Sequence, residues 1–306
     1  MRLLAALCLF CLPALAEVPV VVTDIPPVHA LVAQVMGDLG QPVLLLDPGA
    51  DEHDFQLRPS QMQSLESAGL IVWIGPGLTP WLARVVTGTS APALTLIDLP
   101  ETHTQGYPDE QDTAPGNKAS DTGLDADTHE GTNTGDDPHV WLNPENAALW
   151  LPRIAAELAK ADPANAATYA ANARAAVVDI ATLDAEITAL LAPVAAVPFA
   201  THHNAYGYFA SHFGLAYAGA ITNGEASASG AAHLAQLHQR LTDDHIRCLF
   251  PEAQHDPALA AQLRDGTQTK LGGPLDPVGS TLEPGPKAYA NLLRGIATTL
   301  LACLQG

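Results

Sequence analysis

Short apolar runs alternate with longer amphipathic stretches along most of this chain. In the first half, VPVVVTD, PVLLLD, LIVWIG and ALTLIDL read as strands. In the second half, VPFATH, LAYAGAI, IRCLFPEA and the short LGGPLDP do the same. Between them lie stretches with apolar residues at helical spacing. One opens at Pro59 (RPSQMQSLESAG) and has Gly69 as its stop signal. Others are AYGYFASHFG, ASGAAHLAQLHQRLTDD and the C-terminal NLLRGIATTLLACL. Strands alternating with helices in this way predict an α/β fold with mainly parallel sheets flanked by helices.

Two segments break the alternation. Residues 101–137 contain almost no large apolar side chain, ten acidic residues and one basic residue, Lys118. Such a segment cannot bury enough surface to order itself, so a mobile acidic loop is expected. The second is an Ala-rich stretch from Asn165 to Leu191, with Pro163 before it and Pro193 after it. It lacks internal Pro and Gly and keeps helical spacing. A single helix there would be about 27 residues and ~40 Å long, which suits a rigid connector between two lobes. The expected organisation is an N-terminal α/β lobe over 17–162, a linker helix over 163–193 and a C-terminal α/β lobe over 194–306. A chain of 306 residues is also more than one core usually fills.

The first sixteen residues, MRLLAALCLFCLPALA, form a different pattern. Arg2 is a short basic region, Leu3 to Leu12 an apolar core too short to span a bilayer, and Ala14-Leu15-Ala16 a small-residue cleavage site. Residues 1–16 are therefore read as a secretory signal peptide, and the small residues that a lipid attachment at Cys11 needs are missing. A periplasmic chain without a membrane anchor follows. Cys8 and Cys11 leave with the signal, and Cys248 and Cys303 remain. An even pair in an oxidising compartment predicts a disulfide between them.

Charge narrows the partners. The formal net charge is −20, which makes nucleic acid and anionic membranes poor partners and favours a cationic ligand. The candidate ligands for a cation are three histidines in three separated motifs: His53 in GADEHDFQLRPS, His139 in DDPHVWLNPENA and His203 in THHNAYGYFA. His53 follows the strand PVLLLD and His203 ends VPFATH, so both lie at the carboxyl ends of predicted parallel strands, where open α/β sheets hold their ligands. His139 precedes a helix start with Asn143 as N-cap and Pro144 at its first position. His202 and His203 must point to opposite sides of an extended chain. Asn204 is expected to cap the following helix. His29, His212, His233, His238, His245 and His255 read as helix or loop surface, and His103 and His129 as weak metal binders in the acidic loop.

At these motifs the chain resembles the ZnuA-like group of metal-specific solute-binding proteins, the periplasmic zinc-binding components of bacterial ABC importers. EHDFQLRPS, LIVWIGPGL, PHVWLNPENA, HNAYGYF, LDPVG with Asp276, and the late cysteine pair carry the resemblance across essentially the whole mature chain. It implies two lobes joined by one rigid helix, with His53 and His139 from the first lobe and His203 from the second holding Zn2+ in the cleft. Relatives that bind manganese or iron carry a carboxylate where this chain has His203, and nitrogen there favours zinc. The fourth ligand is Glu52, Asp276 or a water. The loop 101–137 departs from the histidine-studded loop of many such proteins. The resemblance further implies a non-enzymatic protein that delivers zinc to an inner-membrane ABC permease, and a single-ion carrier has no need to be more than a monomer. The alternatives are a manganese or iron carrier of the same family, a three-histidine zinc hydrolase, which lacks a matching motif such as H-E-x-x-H, and a surface adhesin of the same fold.

Overall fold

The computed structural model describes residues 18–107, 136–222 and 230–306. Residues 1–16 and most of the acidic segment lie outside these.

The chain builds two four-stranded parallel sheets with the same internal order. The first contains β1 (Val21–Thr23), β2 (Val43–Leu44), β3 (Leu70–Trp73) and β4 (Ala93–Thr95), ordered β2-β1-β3-β4. The second contains β5 (Phe199–His203), β6 (Tyr217–Thr222), β7 (Cys248–Phe250) and β8 (Lys270–Leu271), ordered β6-β5-β7-β8. In each sheet the first strand lies inside, and the chain winds to one side of it and then to the other. That reversal opens a crevice at the carboxyl ends of β1 and β5.

Helices cover the sheets. They are α1 (Pro26–Met36), α2 (Pro59–Glu66), α3 (Pro80–Gly88), α4 (Pro144–Ala161), α5 (Ala166–Leu191), α6 (Gly207–Phe213), α7 (Ala231–Asp243), α8 (Ala258–Arg264) and α9 (Ala288–Leu304). Proline at the first turn starts α1 to α4, where a missing N–H costs nothing. Asn143 caps α4 by accepting a hydrogen bond from Glu145 N.

The connector is α5, 26 residues long, with a 3-10 turn at each end: Pro163–Asn165 and Ala192–Val194. Its buried residues, Tyr169, Ala173, Ala176, Ile180, Leu183, Ile187 and Leu191, recur every three or four positions. This single apolar face packs on α1, α4 and α9, so one continuous core runs from Val21 in the first sheet to Phe199 in the second. Such a spine resists bending between the lobes. The Cys248–Cys303 disulfide joins β7 to α9. Tyr289 at the start of α9 donates to the Trp141 carbonyl at 2.9 Å, and Trp141 donates to the Pro277 carbonyl at 2.8 Å. Both bonds cross between residues of the two halves. No described helix is long and apolar enough to cross a membrane.

Several elements differ from expectation. ALTLIDL forms a strand only at Ala93–Thr95, and the last strand lies at Lys270–Leu271, with Leu275 contributing an isolated bridge to Glu252. Asn204 does not cap α6. It is buried, and its side-chain oxygen accepts from Tyr217 Oη at 3.1 Å, while α6 starts three residues later. His29 is buried rather than exposed, because α1 is enclosed on nearly every side. Its Nε2 lies 3.2 Å from the Pro42 carbonyl.

Candidate metal centre

Three loops and one strand end supply the site. After β2, Leu45 and Leu46 continue the ladder to Thr23 and Asp24. Gly49, at φ 73, then turns the chain. A side chain at that φ would be strained. Asp51 accepts the His53 N–H at 2.8 Å, and the Trp81 indole donates to the Glu52 carbonyl at 2.8 Å. The Glu52 side chain is thereby held inside, 2% exposed.

His139 is fully buried on the far side of the acidic segment. Asp137 Oδ1 accepts the His139 backbone N–H at 3.0 Å and lies 2.6 Å from its ring Nδ1. This corrects the expectation that all of 101–137 is mobile loop. The described ends of that segment are ordered: Thr102 is buried, Gly106 bridges to Asp136, and Asp137 is fully buried against His139.

His203 ends β5, between β6 and β7, at the switch point of the second sheet. Thr201 donates to its carbonyl at 2.7 Å. Its Nδ1 faces Glu252 Oε2 at 3.5 Å, and Glu252 stands just beyond the carboxyl end of β7.

These elements bring His53, His139 and His203 together, with ring centroids 5.3, 5.2 and 4.8 Å apart. One donor atom from each, with one carboxylate oxygen of Glu52, forms a group whose members all lie within 4.8 Å of one another. Tetrahedral zinc with nitrogen and oxygen ligands at ~2.0–2.1 Å needs its donors about 3.4 Å apart. Small side-chain rotations would bring the group to that spacing. His139 Nε2, His203 Nε2 and Glu52 Oε1 are buried with no hydrogen-bond partner. Buried polar atoms without partners are costly, and a cation at their centre would satisfy all three. The Nδ1 edges of His139 and His203 face Asp137 and Glu252. Donation of Nδ1–H to a carboxylate leaves the Nε2 lone pair for the metal.

Electrostatics suit a cation as well. Burial and the neighbouring imidazoles hold the pKa values of His53 and His139 well below the ordinary range, so both are neutral. Burial also disfavours charge on His203, but the Glu252, Glu52 and Asp51 carboxylates outweigh it and push its pKa up to about 9. Burial, reinforced by Glu252, raises Glu52 to about 8, and burial raises Asp137 to about 8 against the hydrogen bond from His139. Without a metal the site therefore stores protons where a divalent cation would place its charge.

Asp276 lies outside the cluster. Its oxygens accept from Ser280 N at 3.0 Å, Thr281 N at 3.0 Å, Thr281 Oγ1 at 2.8 Å and Gln254 Nε2 at 3.1 Å. His103 instead pairs with Glu145 at 3.3 Å. His202 points away from His203, as strand alternation requires, and stacks on His255. Two residues were missed in the sequence, Asp137 and Glu252. Glu252 could have been found: it is a carboxylate just past the buried strand IRCLF, at the same sheet edge as His203.

Two like α/β lobes with a buried imidazole–carboxylate cluster define a cleft-type cation-binding protein. Residues 21–303 match the family described as zinc-uptake complex component A periplasmic. The chain is 45% identical to the high-affinity zinc uptake system protein ZnuA of Paracoccus denitrificans, covering 99% of this chain and 97% of that protein. It is 35% identical to the ZnuA of Brucella suis over 97% and 95% of the two chains. Among solved structures, a zinc-bound ZnuA deletion mutant aligns with a TM-score of 0.75 at 22% identity, covering 94% of this chain and 98% of that one. The laminin-binding protein Lmb of Streptococcus agalactiae aligns at 0.74 with 23% identity, covering 94% and 99%. At those identities the structures show the shared fold. The chain belongs to the ZnuA family.

Proposed function

We propose that this protein captures Zn2+ in the periplasm and delivers it to an inner-membrane ABC permease, with His53, His139, His203 and Glu52 as the ligands. The observation that carries this reading is the convergence of those four buried side chains within 4.8 Å. Three imidazole nitrogens and one carboxylate are a donor set for zinc, whereas manganese and magnesium sites lean on oxygen. The names of the relatives, high-affinity zinc uptake proteins, agree with it.

His53 and His139, neutral in advance, offer lone pairs without releasing protons. His203 gives up its proton, and Glu52 ionises as its oxygen turns to the cation. Asp137 and Glu252 hold two of the rings in the ligating orientation. The lobes, proposed to span 17–162 and 194–306 about the 163–193 connector, enclose the ion away from water. A single-ion carrier works as a monomer and needs no catalysis. The hydrolase alternative wanted Glu52 as a general base beside an open zinc position; the grouping of a Glu52 oxygen with one donor atom from each of the three imidazoles supports the carrier reading.

The test is competition binding of Zn2+ against Mn2+ to purified mature protein and His203→Ala, with zinc-limited growth of cells carrying either form as sole copy. One tightly held zinc, strongly preferred over manganese and lost in the variant together with growth, is expected. Equal manganese affinity would reopen the cargo.

A further inference from the structure

Glu252 faces two ways. Its Oε2 lies 3.5 Å from His203 Nδ1, inside the cluster, and its Oε1 lies 3.9 Å from His255 Nε2, outside it. The His255 side chain is 37% exposed, so this carboxylate connects the buried site to solvent within one residue. On the outer side, the rings of His202 and His255 stack with centroids 4.6 Å apart and planes 17° from parallel. His202 is 7% exposed, and its Nδ1 is buried without a hydrogen-bond partner.

Two imidazoles and a carboxylate beside a cation site are a costly way to build a plain wall. An apolar pair would stack as well and leave no buried nitrogen unsatisfied. Nearly parallel rings do not yet aim at a common point. However, His255 sits in the turn between β7 and α8, with a side chain 37% exposed and so not walled in on its outer face. A turn of its ring converts the stack into a pair of nitrogens around one ion, with Glu252 as the neighbouring anion. Two protein nitrogens and waters bind zinc more weakly than four protein ligands, as suits an ion in transit.

We propose that His202 and His255 form an outer zinc site at the rim of the cleft, backed by Glu252, at which the ion stops on its way to the buried cluster. This goes beyond the capture function and rests on the reading of the buried cluster as the tight zinc site.

Calorimetric Zn2+ titration of wild type and of His202→Phe/His255→Phe, which keeps a stacked aromatic pair, separates the two claims. Wild type is expected to show one tight and at least one weaker equivalent, and the double variant to keep the tight one and lose a weak one. Zinc-edge anomalous diffraction on wild-type crystals in excess zinc gives an independent readout. A second peak beside His202 and His255 is expected. An unchanged weak equivalent in the variant, or no peak at that pair, overturns the outer site while leaving the tight one standing. Absence of any tight equivalent in wild type overturns the capture reading itself.

Discussion

Asp137 Oδ1 lies 2.6 Å from His139 Nδ1 and also accepts the His139 backbone N–H, with both side chains fully buried. This pairing fixes both the tautomer and the direction of the ring, since the carboxylate takes the Nδ1 edge and leaves Nε2 for the cluster. Loss of such a partner costs ~10–100-fold in metal affinity. Asp137→Ala is expected to weaken zinc binding by about that factor. Asp137→Asn keeps an acceptor oxygen and should lose less. Chelator competition on both variants checks the order, and equal losses would show that hydrogen bonding to the ring does not matter.

The fourth ligand separates by mutation. Glu52 has a buried oxygen with no hydrogen-bond partner, whereas Asp276 spends its oxygens on the Ser280–Thr281 turn and Gln254. Glu52→Gln is expected to reduce zinc affinity by at least ~10-fold with little change in melting temperature. Asp276→Asn is expected to lower the melting temperature, by roughly 1–3 kcal/mol of stability, with zinc affinity nearly unchanged. The reverse pattern would move the fourth ligand to Asp276.

Zinc must displace protons from groups whose pKa values are raised. His203 at about 9 and Glu52 at about 8 are both protonated in metal-free protein at neutral pH. Binding at pH 7 should therefore release protons, and affinity should keep rising as pH increases toward 9. An unperturbed imidazole alone places that rise near 6.5. Calorimetry in buffers of different ionisation enthalpy counts the protons. No release at pH 7 would contradict this account.

The same shifts give the metal-free protein a pH-dependent stability. Asp24, Glu52, Asp137 and His203 are all raised, to about 7, 8, 8 and 9. The folded chain thus binds protons more tightly than the unfolded chain, and stability falls as pH rises through those values. His53 and His139 are lowered and act in the opposite sense, but only below about 6.5. The melting temperature of metal-free protein should therefore drop between pH 6.5 and 9, and saturating zinc should offset the drop. Thermal scans across that range, with and without zinc, are the check.

Much of this was readable from the sequence because parallel sheets place ligands at one edge. PVLLLD and VPFATH announced that edge, and His53 and His203 followed from it. The connector was equally plain, since an uninterrupted Ala-rich run between two prolines has few alternatives to a helix. The enclosure of α1 was not visible. Its burial comes from the sheet, α5 and α9 together, and His29 gives no local sign of it. Asp137 was hidden for a related reason: composition marks 101–137 as polar, but composition averages over a carboxylate that tertiary contact buries. Glu252 was legible as a carboxylate just past IRCLF, but its pairing with His203, and that of His255 with His202, depends on β7 lying beside β5, which hydrophobic pattern does not give.

The most direct test of the central claim is a zinc-edge anomalous diffraction structure of protein loaded with one equivalent of zinc. One peak is expected, bound by one nitrogen each from His53, His139 and His203 and by an oxygen of Glu52, at ~2.0–2.1 Å. A single peak coordinated by other residues, or a Glu52 carboxylate turned away while Asp276 ligates, would contradict it.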